Sequence, residues 1–308
     1  MNRPAAALDH YRSGQQIYEA LLTRNAADAK IRRGLSVVHE HMGTLLLQNK
    51  QLENALANNR RALALRSDLV AEFPLNADYR RTLLVSHYND GEILSAMGRT
   101  SEALRSYQKN LAIAEELLAS DPNNEQYRGD LAYALIRVGD MSAVTSPSQA
   151  VESYCRSRTL RSQDVRKDPS NLWKRSSLIE AEVKLAAALA KSGRHADASA
   201  AYSAALSMMD HTTIEPTNPL IRSFFATTYA GLGEAQAVMA GNTATESTEW
   251  TMRWRLAREM YGRSLVIWRD LRYRGILSSL DAHKIDAVTT EIQRCDRMMS
   301  RNARSGGS

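Results

Sequence analysis

Small, aromatic and proline-bearing positions recur along this chain at one long step, and that pattern sets out its elements. Proline stands beside asparagine in EFPLN, SDPNN, KDPSN and EPTN, with Pro74, Pro122, Pro169 and Pro216 lying 48, 47 and 47 residues apart. Proline cannot continue a helical hydrogen-bond ladder, and the Asn, Asp or Ser next to it suits the N-cap of the following helix. Each cluster therefore ends one helix and begins another. A second series of small residues, Gly43, Gly91, Gly139, Ala186 and Gly233, keeps the same step. In a third, Ala7, Ala55, Ala103, Ala150, Ala198 and Ala257 are each followed four residues later by Tyr11, Asn59, Tyr107, Tyr154, Tyr202 and Tyr261. Small side chains let two helices approach closely, and an aromatic ring one turn on fills the gap beyond them. The pattern predicts an all-α chain, an α-solenoid of antiparallel helix pairs with a unit of about 47 residues.

Laid along the sequence, the unit gives a single domain over 1–300. A lone helix at 5–24 is followed by helix pairs at 27–72, 77–120, 124–167, 171–210 and 217–272, then by a capping helix at 279–300 and a disordered tail at 301–308. In the last pair the Ala-to-Ala step is 59, so about twelve residues are inserted around GNTATESTEW, whose Gly, Asn, Thr and Ser read as a loop. Tyr11, Ile17 and Leu21 align with Tyr107, Ile113 and Leu117 of a later second helix, with no first helix ahead of them. Two readings of that half-repeat stand side by side: an N-terminal cap, or the C-terminal piece of a longer protein.

These positions resemble the tetratricopeptide repeat, with its small residue in the first helix, a turn glycine (Gly98, Gly193), then alanine and an aromatic in the second helix. Two departures stand out. The unit is longer than the family's usual ~34 residues, which extends both helices, and Asp90 takes a place where the family prefers leucine. The resemblance implies a protein-binding scaffold whose concave groove is lined by first-helix positions. Carried over residue by residue, these include Val37, Glu40, Thr44, Val85, Tyr88, Glu92, Tyr133, Ile136, Asp140, Val183, Ala187, Lys191 and Glu234. Their mixed apolar and acidic character suits a peptide segment with some basic residues.

The closing segment carries Trp254, Tyr261, IWRDL at 267–271, Gly275, Leu277, Asp281, Ala282 and EIQRCD ending at Asp296. It is similar to the C-terminal tetratricopeptide region of large bacterial serine/threonine protein kinases. That similarity implies a kinase-associated sensing or docking module. None of the kinase chemistry is written here: there is no G-x-G-x-x-G followed by a strand and Lys, no H-R-D loop and no D-F-G.

Charge and chemistry narrow the picture further. The 308 residues are 44% hydrophobic and carry a net charge of +6, an ordinary basic surface without a run of five basic residues, which argues against nucleic acid as partner. Arg32, Arg80, Arg128, Arg175 and Arg222 recur at steps of 48, 48, 47 and 47. Such a ladder could grip carboxylates or phosphates, yet an acid before each proline (Glu72, Asp121, Asp168, Glu215) favours intramolecular pairing between neighbouring repeats. His39 and His41, two apart on a helix, point to different faces and share no metal. Cys155 and Cys295 lack the spacing of a disulfide framework or zinc knuckle and read as buried thiols. Trp250, Trp254 and Trp268 read as packing for the cap. No catalytic constellation, cofactor or metal is expected, and no stretch is apolar enough to span a bilayer. A cytoplasmic location follows, or a periplasmic-facing one if a membrane span lies upstream. The partners expected are a protein or peptide and, through the unpaired first helix, a second copy of the chain as a homo-oligomer.

Overall fold

A computed structural model describes residues 3–143, 145–210, 218–244, 247–278 and 281–305. Among the described residues the chain is all α, with helices α1 (Arg3–Arg24), α2 (Ala29–Gln48), α3 (Leu52–Glu72), α4 (Ala77–Ala96), α5 (Thr100–Ser120), α6 (Glu125–Ser142), α7 (Pro147–Lys167), α8 (Leu172–Lys191), α9 (His195–Asp210), α10 (Pro219–Gly241), α11 (Thr248–Tyr273) and α12 (Lys284–Ser305).

The starts of the first helices follow from their caps. Asp28, Asn76, Asn124, Asn171 and Asn218 keep the repeat's step, and each turns a side-chain oxygen onto one or two free amides of the first turn, as Asn124 does to Gln126 and Tyr127 at 3.1 and 3.2 Å. These amides have no intrahelical acceptor, so each cap contributes about 1 kcal/mol. The second helices α3, α5 and α7 start without a side-chain cap. Gly98 and Gly193 make the tight turns before α5 and α9 at φ of +74° and +75°, a left-handed conformation that costs glycine nothing, whereas Lys50 holds φ +59° before α3.

The helices gather into two compact units, Met1–Met141 and Ser142–Ser308, along the span that the sequence reads as one array over 1–300. The division falls at the turn between α6 and α7, a seam available in any chain whose helix pairs contact mainly their neighbours. In the first unit α1 packs on α2, α2 on α3, α3 on α4, and α4 on α5. In the second, α8 packs between α7 and α9 and against α10, α10 pairs with α11, and α12 lies on α11.

The Ala-aromatic series is the seam of these pairs. Ala55, Ala103, Ala150, Ala198 and Ala257 are all fully buried, and Tyr107, Tyr154, Tyr202 and Tyr261 are buried with them. Gly91 faces Tyr107 so closely that an added Cβ would sit 2.5 Å from the ring; at Gly233 it would sit 2.9 Å from Tyr261. Any larger residue at either glycine would push the pair apart. Around α11, Trp250, Trp254, Trp268, Leu271, Ile285, Val288 and Cys295 form one buried cluster that seats α12.

Two segments differ from the sequence reading. The edges of the expected insertion are helix: α10 continues to Gly241 and α11 starts at Thr248, because the Ser247 hydroxyl accepts from the Trp250 amide at 3.0 Å and caps it. Residues 245–246 of that segment lie outside the described residues, as do 279–280 of the expected capping helix. Helix α12 also runs on to Ser305, five residues into the expected tail, since adding residues to a nucleated helix costs little. The proline cluster with Glu215 and Pro216, and the last three residues, 306–308, lie outside the described residues.

Candidate functional site

The first helices of the first unit bring several of the expected groove residues together. On α2, α4 and α6, positions three, four and seven apart share a face, which sets Glu40 and Thr44, Tyr88 and Glu92, and Tyr133 and Asp140 along three neighbouring strips. The Tyr88 and Tyr133 hydroxyls lie 3.2 Å apart and their rings 5.3 Å. Arg137, one turn beyond Tyr133, donates to the Tyr133 hydroxyl at 2.6 Å, and its guanidinium lies 4.9 Å from that ring's centre and 5.9 Å from that of Tyr88. The same guanidinium sits 3.3 Å from Glu92 and 3.4 Å from Asp140. The buried Tyr107 of α5 donates its hydroxyl to Glu92 at 2.5 Å. Burial first, then the neighbouring Tyr133 and Glu92, push the Tyr88 phenol far above its ordinary value, and burial and Glu92 do the same to Tyr107. Both stay protonated; Tyr107 donates to Glu92, and in the Tyr88–Tyr133 pair either hydroxyl can donate.

Beneath this face Arg66 of α3, 1% exposed, ties three helices. It donates to Ser36 at 3.2 Å, to the Thr82 carbonyl and the Ser86 hydroxyl at 2.9 Å each, and to Glu40. Such a buried cation is tolerable only because its donors are satisfied. Glu40, Gly43, Thr44, Leu47, Asn59, Tyr88, Asn89, Glu92 and Ile93 wall a cleft of about 140 Å³ between α2 and α4. Asp90, the residue that departs from the family pattern, accepts from Ser106 at 2.6 Å.

Two expected groove residues do not face a groove. Ile136 is fully buried, because α6 exposes only the strip through Tyr133, Arg137 and Asp140, and Val183 is 7% exposed with Gly231 of α10 set against it. Val37, Val85 and Ala187 are half-buried. In the second unit Lys191 and Glu234 pair with each other at 2.7 Å across α8 and α10. Glu234 also edges an open cleft of about 670 Å³ with Thr227, Tyr261, Thr290 and Arg294.

Four arginines of the ladder have partners inside their own helix pairs. Arg32 meets Glu72, Arg80 meets Glu116, Arg175 donates to the Met208 carbonyl at 3.2 Å, and Arg222 meets Asp270 at 2.5 Å. Arg128 is 4% exposed. Of these partners only Glu72 belongs to the series of acids ahead of the prolines; Glu116 sits about one turn before Asp121 in α5, where the arginine's reach falls. Asp168 instead accepts from Ser170 and Asn171 at 3.0 and 3.2 Å, which holds its carboxyl below the usual range.

His39 is 2% exposed against Asn58, while His41 stacks on Tyr11 of α1 with ring centres 5.4 Å apart. Among the described residues no three His, Cys, Asp or Glu side chains gather as a metal site, and no helix is long and apolar enough to cross a membrane.

Sequence reasoning missed Arg66 and Arg137, the two cations that organise the face. Their signal was present for Arg66 alone: Arg161, two repeats on, is likewise buried and reaches Glu180 at 3.0 Å.

No protein-family model matches the chain, and no curated protein matches it in sequence. Solved structures do. The crystal structure of BtubC (BKLC) from P. vanneervenii superposes with a TM-score of 0.60 at 12% identity, covering 88% of this chain and 93% of that one. The apo form of RapI gives a TM-score of 0.52 at 15% identity, covering 98% and 92%. At such identities the likeness is one of fold, and it agrees with the caps, turns and seams described above: the chain has a tetratricopeptide-like fold of antiparallel helix pairs.

Proposed function

We propose that the chain is a non-catalytic protein-interaction scaffold that holds a peptide segment of a partner against the α2, α4 and α6 face of its first unit. The observation that carries this reading is the half-exposed strip of Tyr88, Glu92, Tyr133, Arg137 and Asp140. Aromatic rings and paired charges are fixed there by hydrogen bonds yet open on one side. Pre-organised side chains lose little entropy when they close on a ligand, and rings beside an acidic cleft suit an extended or helical segment with basic residues. The likeness of residues 254–296 to the closing part of kinase-associated arrays extends the proposal, making the partner or parent a bacterial serine/threonine kinase; that extension rests on those residues alone. The test is selection of a random peptide library on the full chain, followed by hydrogen exchange of the complex with the best binder. Protection is expected in α2, α4 and α6. Failure to enrich any peptide, or protection confined to other helices, would rule the reading out.

A second reading, self-association, is favoured by one observation. Ile17 and Leu21 on α1 are 61% and 40% exposed, whereas Leu117, the counterpart of Leu21 in α5, is fully buried.

A further inference from the structure

We propose that the cleft between α2 and α4 is the anchor pocket for a single lysine side chain of the bound segment. The proposal rests on the groove reading above and names the chemistry of its deepest contact.

The cleft exists because one residue breaks the seam. Where the other second helices carry tyrosine, α3 carries Asn59. In its repeat the Gly43 crossing is met only by backbone and Asn58, an added Cβ lying 3.3 Å from the Ala55 carbonyl, where Gly91 and Gly233 are met by rings. The space a phenol would fill is left open to the face.

The floor of that space is polar and incompletely bonded. Asn59 is 1% exposed, and its Nδ2 donates to the Ser86 carbonyl at 3.1 Å, with Asp90 at 3.5 Å. Turning the amide over would set its oxygen against that carbonyl and carboxylate, so the orientation is fixed by the network. Its Oδ1 then accepts from no described residue, although it is buried. A buried acceptor without a donor costs about 1–3 kcal/mol, a deficit that a ligand N–H removes.

Two carboxylates wall the same cleft. Glu40 is engaged with Arg66 through one oxygen, and Glu92 takes Tyr107 and Arg137 on one oxygen; both side chains are partly exposed, 23% and 30%. The lining carries these two carboxylates and no lysine or arginine, the guanidiniums of Arg66 and Arg137 reaching them from outside it. Three acceptors from three helices suit an ammonium with three rotatable donors better than a planar guanidinium fork. The Leu47 side chain and the Tyr88 ring on the walls suit its methylene stem and add a cation–π contact.

The experiment uses the full chain and the peptide enriched on it. The peptide is expected to contain a lysine whose replacement by norleucine, which keeps the stem and removes the ammonium, weakens binding about tenfold or more. Replacement by arginine is expected to weaken it as well. Asn59→Tyr, which restores the residue found in the other repeats and fills the cleft, should cause a comparable loss while leaving the melting temperature unchanged or raised. Should that variant fold poorly, Thr44→Lys places a competing cation at the exposed mouth and should give the same loss. Groove binding that ignores the norleucine exchange and both variants would overturn the anchor pocket and leave the groove reading intact. No enriched peptide at all would overturn both.

Discussion

Lys50 and Gly98 occupy the same turn one repeat apart, and the difference between them is a measurable strain. A side chain at positive φ costs about 1–2 kcal/mol, and the backbone bonds that close the turn at Lys50 (φ +59°), its amide to Leu47 and that of Gln51 to Leu46, are the same ones the Gly98 turn makes without that cost. Lys50→Gly is therefore expected to raise stability by about 1 kcal/mol, read as a higher urea midpoint; an unchanged or lower midpoint would show that the turn is not strained. At this scale much was legible in the chain. The five helix-starting Asp and Asn residues and the turn glycines announce themselves by spacing. Asn59 was equally visible as the one polar member of an aromatic series, yet its meaning needs three dimensions: a missing ring becomes a cleft only when Glu40 and Glu92 are known to stand on either side. Arg137 was illegible for a related reason, because Glu92, which it shares with Tyr107, lies 45 residues away on α4.

Each unit stores buried titratable groups of opposite sign, so helices of the two should answer pH differently. In the first unit burial lowers the pKa of His39 on α2 and of His87 on α4. Stability from these groups is full above the unfolded value of about 6.5 and is lost as pH falls below it, because the unfolded chain binds the protons first. In the second unit burial raises the pKa of Glu182 on α8, only partly offset by Arg158 at 3.9 Å. Its contribution is full at low pH and is lost as pH rises through the folded value. All four tryptophans, Trp173, Trp250, Trp254 and Trp268, belong to the second unit, so their fluorescence reports its unfolding alone. Glu182→Gln is expected to raise the tryptophan-detected midpoint at neutral pH and to flatten its pH dependence below. A parallel pH profile for variant and parent would contradict this. The element boundaries themselves were nearly all readable, because proline and the caps mark them. The ends of α11 and α12 were not, since Thr and Ser read as loop until Ser247 is seen to cap, and nothing in RNARS forbids one more turn.

The first and last helices of the chain are covered differently. Helix α12 lies on α11 through Ile285, Val288 and Cys295, while α1 leaves Ile17 and Leu21 bare. Exposed apolar residues of that size, one turn apart on a helix, favour association. Light scattering over a concentration series is expected to show a dimer that Ile17→Glu with Leu21→Lys abolishes; a concentration-independent monomer of about 34 kDa would remove self-association as a reading. The partition into two compact units was not readable, because the repeat's step passes from α6 to α7 unchanged. The seat of α12 has one more consequence. Cys295 is fully enclosed, and burial pushes its thiol up to about 11, so at neutral pH it holds its proton and meets no oxidant. Only a molecule whose last helix has lifted exposes that thiol, so the rate at which a thiol reagent labels it reads how often α12 leaves its seat.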